Sequence, residues 1–188
     1  EGEGGVAALE RGVREWGSRG FAISCYRGNR IVDDPAYRPF LAKCVELGIP
    51  VRITVGLHLL TDRPYDYAHP KYLDEIAVEF PTLKIVAALT GWPWVAETCA
   101  IASRHQNIFI DFACKRVKQL LAPGAGYEAL IYYGARTLQD RIIFASGWGT
   151  LMVPLHQLVA ETDALPLTDS VRAKWLGGNA ARVLGLDH

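Results

Sequence analysis

Val51-Arg52-Ile53-Thr54-Val55-Gly56, a helical pattern between Pro70 and Pro81, and then Lys84-Ile85-Val86-Ala87-Ala88-Leu89 form the stretch whose reading decides the fold. The two outer runs are nearly continuous in apolar and β-branched residues, as buried strands are. Between them, Tyr72, Leu73, Ile76, Ala77 and Phe80 recur at helical spacing, so one face of that segment is apolar. Pro70 suits the first turn of this helix and Pro81 bars its continuation. A helix between two solidly apolar strands is the unit of a parallel sheet covered on both faces.

The same alternation extends outward in both directions. Further strands are predicted at Gly20–Cys25, Asn107–Phe112 and Arg141–Ser146. Upstream, Asp34 is placed to cap a helix with Pro35 at its first position, and Gly48 and Pro50 end it. Tyr37, Phe40, Leu41, Cys44 and Val45 are expected on its buried face. Pro93 opens another helix, with Val95, Cys99 and Ala102 aligned. The stretch Val117–Leu138 reads as two shorter helices broken at Pro123-Gly124-Ala125-Gly126, and a last helix runs from a Thr168 cap to about Leu184. The early run Glu1-Gly2-Glu3-Gly4-Gly5 leads at once into a helical pattern. With no linker or low-complexity stretch, residues 1–188 are expected to form one domain. Pattern leaves two architectures open: a doubly wound open sheet, or most of a (β/α)8 barrel. No GxGxxG turn follows any strand, which weakens a dinucleotide-binding version.

Composition narrows the function classes. Lys+Arg and Asp+Glu number 20 each and no basic stripe stands out, so a nucleic-acid partner is not expected. No apolar run is long enough to span a bilayer and no signal peptide is read, so neither a membrane nor an export route is expected. Cys25, Cys44, Cys99 and Cys114 form no CxxC pair and sit in apolar segments. They are expected to be buried free thiols, which fits a cytoplasmic setting.

Longer motifs resolve the choice of architecture. His69-Pro70-Lys71-Tyr72-Leu73, Glu79-Phe80-Pro81-Thr82-Leu83-Lys84-Ile85-Val86 and Gly91-Trp92-Pro93-Trp94 resemble the metal-dependent amidohydrolase family that includes aminocarboxymuconate-semialdehyde decarboxylase and related aromatic-acid decarboxylases. The resemblance continues through Cys44–Val51, Asn107–Asp111, Arg141–Ser146 and the closing segment Asn179–Leu186. It implies an α/β fold: an incomplete TIM (β/α) barrel whose parallel strands correspond to barrel strands 4 to 8. The first three strands, one of which carries the family's paired histidines, lie outside this sequence by that correspondence.

The same resemblance implies a chemistry and then withholds its parts. The family acts as hydrolase or non-oxidative decarboxylase on small carboxylated, often aromatic or cyclic, substrates. It uses zinc or another divalent metal, held by histidines and an aspartate at strand ends. Thr54 stands where a strand-five histidine is expected, Leu89 where a strand-six histidine is expected, and Gly147 where the strand-eight aspartate is expected. None of the three side chains is a competent zinc donor. No metal is therefore expected in this chain, and a degenerate or truncated member, a pseudoenzyme, is the leading expectation. Thr54, Leu89, Trp92, Gly147 and Trp148 are expected to line what remains of the pocket at the strand C-terminal ends.

Other residues offer donors for a replacement site. His58, His69 and Asp111 are the weak candidates for a rebuilt metal set, and His58 with Asp111 for a metal-independent lyase or lactonase. The bland readings stand beside these: a water-contacting loop histidine for His58, a helix-start residue for His69, and a structural carboxylate for Asp111. The tryptophans have a bland reading too, as packing between loop and helix. His105, His156 and His188 are read as surface or helix-end residues. Ser146 lacks the flanking glycines of a nucleophile elbow. As partners, a small-molecule substrate, a second copy of the chain, or another chain completing the barrel are the expectations, since an incomplete barrel exposes sheet edges.

Overall fold

The computed structural model describes residues 3–186. Helix α1 (Glu3–Trp16) leads into strand β1 (Phe21–Ile23), helix α2 (Arg38–Leu47), β2 (Val51–Thr54), α3 (Tyr72–Glu79), β3 (Ile85–Ala88), α4 (Val95–Arg104) and β4 (Ile108–Asp111). The short helices α5 (Val117–Leu120) and α6 (Glu128–Gly134) precede β5 (Ile142–Ile143), and α7 (Trp148–Leu151), α8 (Leu155–Glu161), α9 (Asp169–Ala173) and α10 (Asn179–Leu184) follow it. All five strands are parallel and lie in chain order, β1-β2-β3-β4-β5. A doubly wound sheet reverses its order at a switch point; this one does not, which is the winding of a barrel. The sheet is open, with β1 and β5 as its edges.

Residue alternation separates two faces. Val51, Ile53, Ile85, Ala87, Ile108, Ile110 and Ile142 point outward into one large core shared with the helices. Val86, Phe109 and Ile143 point inward and form a second, small cluster with Val183 and Ala180 of α10. Lys84 donates to the Arg182 and Val183 carbonyls at 3.1 and 3.4 Å, which ties α10 to the N-terminal end of β3.

The punctuation acts as its chemistry dictates. The Asp34 carboxylate accepts from the Ala36 amide at 2.8 Å, capping a single 3-10 turn over Pro35–Tyr37 that opens α2. Gly48, at φ +66°, closes α2. Val45 departs from expectation: it is 38% exposed, because the buried stripe of α2 is narrower and runs through Leu41 and Cys44. Thr168 caps α9, but the last helix is not uniform. A π-helical turn at Lys174–Gly178 separates α9 from α10.

That irregular turn has a structural use. Arg141 and Ile143 direct their carbonyls to β4, so Ile142 and Phe144 direct theirs to the outer edge of β5. There the Ile142 carbonyl accepts from Asn179 Nδ2 at 2.7 Å and the Phe144 amide donates to the Trp175 carbonyl at 2.7 Å. The edge groups of β5 are thereby satisfied by the C-terminal segment. Trp175 is 1% exposed and packs against Phe112.

Cys25, Cys44 and Cys99 are buried free thiols, as expected, whereas Cys114 is only partly buried. Burial pushes Cys25 up to about 11 and Cys44 and Cys99 up to about 12, which keeps them protonated and inert. Among the described residues, no helix is long and apolar enough to cross a membrane. The expectations for Glu1, Gly2 and His188 lie outside the described residues.

Candidate functional site

The C-terminal ends of β2 to β5 and the loops after them gather the residues singled out above. Thr54 ends β2 on its inner side, beside Ala88 of β3 in register, and is 8% exposed. Leu89 follows β3 directly. It and Thr90 are both left-handed, at φ +67° and +64°, where a side chain costs about 1–2 kcal/mol per residue. Asp111, the last residue of β4 and 2% exposed, secures this bend: its Oδ1 accepts from the Leu89 amide at 2.9 Å and from the Ala113 amide at 3.1 Å. Its Oδ2 accepts from Arg52 Nε at 2.7 Å. Asp111 thus makes three specific contacts that join β2, the bend after β3 and the end of β4.

Gly147 sits at φ +55° before α7, against the loop that follows β4. A Cβ built on it would lie 2.5 Å from Cys114 Sγ and 2.7 Å from Cys114 Cα, and would also collide with the Cys114 amide nitrogen. Cys114 is itself left-handed, at φ +62°. Two unusual backbone conformations therefore meet where the resemblance calls for a carboxylate-bearing side chain. Neither the contact nor the left-handed Cys114 has a signature in the local sequence, because the approach joins two strand-end loops far apart in the chain.

The aromatic candidates behave differently from one another. Trp92 is 37% exposed; its indole N–H donates to the Ala125 carbonyl at 3.0 Å, and the Lys115 ammonium lies 5.9 Å from its ring and 5.9 Å from that of Tyr127. Trp148 is 56% exposed. Trp94 packs instead on His69 and Tyr65, with ring centroids 4.2 and 5.8 Å away.

His58 is not the water-contacting loop residue its sequence context suggests. It is 6% exposed, stacks on Tyr26, and its Nε2 lies 2.8 Å from the Pro64 carbonyl. Its Nδ1 has no partner among the described groups. His69 accepts from the Lys71 amide through Nδ1 at 3.2 Å, the helix-start role expected for it, with Nε2 3.7 Å from Glu97. His58, His69 and Asp111 thus each engage different partners. Among the described residues no group of three or more His, Cys, Asp or Glu side chains is placed to hold a metal ion. At the strand ends Thr54 offers a hydroxyl, Leu89 an aliphatic chain and Gly147 no side chain.

Arg52 was not singled out from the sequence. A charge in the middle of an otherwise apolar strand, two residues before Thr54, was the signal available. It lines a cavity of about 390 Å3 on the inner face together with Ala22, Val86, Asp111, Ile143 and Phe144.

Comparison with known proteins places this geometry. The model of the family described as Amidohydrolase matches residues 1–186. Among solved structures, an uncharacterised TIM-barrel protein of Bordetella bronchiseptica is 27% identical with a TM-score of 0.80, the match covering 95% of this chain and 61% of that one. The 5-carboxyvanillate decarboxylase of Sphingomonas paucimobilis is 18% identical with a TM-score of 0.68, over 96% of this chain and 62% of that one. A dihydroxybenzoic acid decarboxylase of Polaromonas, solved with bound manganese and 2-nitroresorcinol, is 16% identical with a TM-score of 0.67, over 97% of this chain and 65% of that one. This chain therefore spans less than two thirds of each of these structures, and its five-stranded sheet is a partial barrel. No curated protein matches it significantly. On the strength of the family model over nearly its whole length, the chain belongs to the amidohydrolase family.

Proposed function

We propose that this chain is a form of the amidohydrolase and carboxy-lyase fold that keeps the barrel scaffold, as a single domain, without the metal-dependent chemistry. The observation that carries the reading is Gly147. The position assigned to the strand-eight carboxylate has no side chain, and Cys114 leaves no room for one. Thr54 and Leu89 support it, since neither offers the imidazole the family uses at those strand ends. In the family, the metal polarises the substrate and lowers the pKa of bound water; no step of that kind is assigned to residues of this chain. A remnant pocket at these strand ends, with Trp92 and Leu89 among its walls, would suit small carboxylated or cyclic molecules. The test is an assay of carbon dioxide release from a panel of aromatic carboxylates, with zinc or manganese added. Turnover no greater than that of metal alone is expected, and saturable turnover above it would contradict the reading.

A second reading is favoured by the open sheet: a partner chain, or a second copy, that adds strands to the incomplete barrel at its free edge. The outer groups of β5 are already bonded by Asn179 and Trp175, so β1 is the edge at which an added strand would pair. Size exclusion with light scattering checks it. A stable assembly supports this reading, and a clean monomer across the concentration range removes it.

A further inference from the structure

We propose that the loop after β2, residues 57–67, is a pH-sensitive latch: the neutral His58 ring pins it shut, and protonation of His58 releases it. The inference stands on the surroundings of His58 and does not depend on what the strand ends do with a metal. Backbone bonds fix both ends of the loop to the scaffold. The Leu57 amide donates to the Trp92 carbonyl at 2.7 Å, and the Tyr67 carbonyl accepts from the Val32 amide at 3.0 Å. Between those ends, three contacts tie the loop to its neighbours among the described residues. His58 stacks on Tyr26 with ring centroids 5.1 Å apart, Arg63 donates to the Tyr26 carbonyl, and Tyr65 stacks on Trp94. The tip is open to water, with Leu59 88% exposed.

His58 is buried, and only one of its ring nitrogens is answered. Nε2 lies 2.8 Å from the Pro64 carbonyl, which can only accept, so Nε2 carries the hydrogen. That bond joins the two arms of the loop. Nδ1 of the neutral ring is then a bare acceptor, and among the described residues it is the buried side-chain nitrogen or oxygen that lacks a partner. Protonation would place a second N–H and a positive charge there, with no acceptor to receive them. The neighbouring charged and titratable groups do not supply one. Tyr26 presents its ring face, and the Arg63 guanidinium bonded to the Tyr26 carbonyl is a like charge. Both oxygens of Asp62 are taken by Arg63, at 2.8 and 2.6 Å, and its side chain is 65% exposed. The bond from Arg63 is the main cause that holds the Asp62 carboxyl below the usual range, and the charge of His58 is the least. Cys25, beside Tyr26, turns its thiol to the Thr54 and Tyr67 carbonyls. A charged ring is therefore better accommodated in water than in the closed loop. The sign follows. The latch is whole above the range in which a free histidine takes up its proton, about pH 6.5, and weakens as the pH falls through it.

The experiment is hydrogen exchange of the whole chain, read by mass spectrometry on the peptide covering residues 57–67 at about pH 7.5 and about pH 5. Rates are corrected for the intrinsic effect of pH, and α4 serves as the internal reference. Exchange of the loop relative to α4 is expected to rise about tenfold at the lower pH, the scale set by the charging of a released histidine. His58→Gln keeps an N–H for the Pro64 carbonyl but cannot take up a proton. Its loop, tight or loose, should show no acid response, and circular dichroism establishes that the variant is folded. Nitrogen NMR of the unaltered chain with labelled histidine needs no variant: His58 is expected with its hydrogen on Nε2 and with Nδ1 bare at neutral pH. Loop exchange that tracks α4 at both pH values would overturn the proposal. So would an undiminished acid response in folded His58→Gln, or a hydrogen found on Nδ1 at neutral pH. The measurement contains no metal and no turnover, so its failure leaves the reading of the strand ends untouched.

Discussion

The outer and inner faces of the sheet are made by the same five strands, yet they are built to different ends. Outward, Ile53, Ile85, Ile108, Ile110 and Ile142 are wholly buried against helices, one aliphatic side chain after another. Inward, the apolar cluster is four residues strong, and the strands also present Arg52, Thr54 and Asp111. The difference teaches where each kind of residue is answerable. The outer face carries the hydrophobic stabilisation of the fold, whereas the inner face carries polar groups whose placement depends on a few exact contacts.

The sharpest way to break this contrast is a matched pair of truncations. Ile53→Ala on the outer face is expected to cost about 3–4 kcal/mol, and Val86→Ala on the inner face about 1–2 kcal/mol, since Val86 is smaller and lies beside an open cavity. Urea unfolding measures both, and equal losses would mean that the inner face is as tightly packed as the outer. Next in size is Asp111→Ala, expected to destabilise by about 3 kcal/mol because the Leu89 and Ala113 amides and Arg52 lose a shared charged acceptor. A loss below about 1 kcal/mol would show that the strand-end bend stands without it.

Glycines give a smaller and cleaner comparison. Gly147 and Gly124 are both left-handed, at φ +55° and +75°, but a Cβ on Gly124 meets nothing within 4 Å. Alanine is expected to cost about 1 kcal/mol at Gly124 from backbone strain alone, and about 2 kcal/mol or more at Gly147, where the Cys114 backbone must also yield. Equal costs would mean that the loops after β4 and β5 separate easily. The smallest perturbation is chemical. Native alkylation should label Cys114 and spare Cys25, Cys44 and Cys99 until the chain unfolds. Labelling of the buried three at a comparable rate would place the outer core in local exchange with open states.

Much of the outer face was legible in the sequence, because continuous apolar runs and proline and glycine punctuation are local signals. The β2, β3 and β4 strands fall where Val51–Gly56, Lys84–Leu89 and Asn107–Phe112 put them, and Thr168 caps as its position suggests. What was not legible depends on contacts at long range. The Arg141–Ser146 run forms only the two-residue strand Ile142–Ile143, beyond which the Phe144 amide donates to the Trp175 carbonyl in the distant π-helical turn. The short helices at Trp148–Leu151 and Leu155–Glu161 lack the length that makes periodicity readable. Winding as a barrel was indistinguishable from a doubly wound sheet by pattern, and needed either strand order or resemblance. At the candidate site, Thr54, Leu89 and Gly147 could be named from alignment with family motifs, but the Arg52–Asp111 pair and the Cys114–Gly147 contact join residues from different strands. A single chain read locally shows neither.

The central claim, that the strand ends of this chain do not hold the family's metal, is tested most directly by elemental mass spectrometry. The purified chain would be equilibrated with trace zinc and manganese and then dialysed. Substoichiometric metal, well under one ion per chain, is the predicted result. One tightly held ion per chain would contradict the account and demand a ligand set other than Thr54, Leu89 and Gly147.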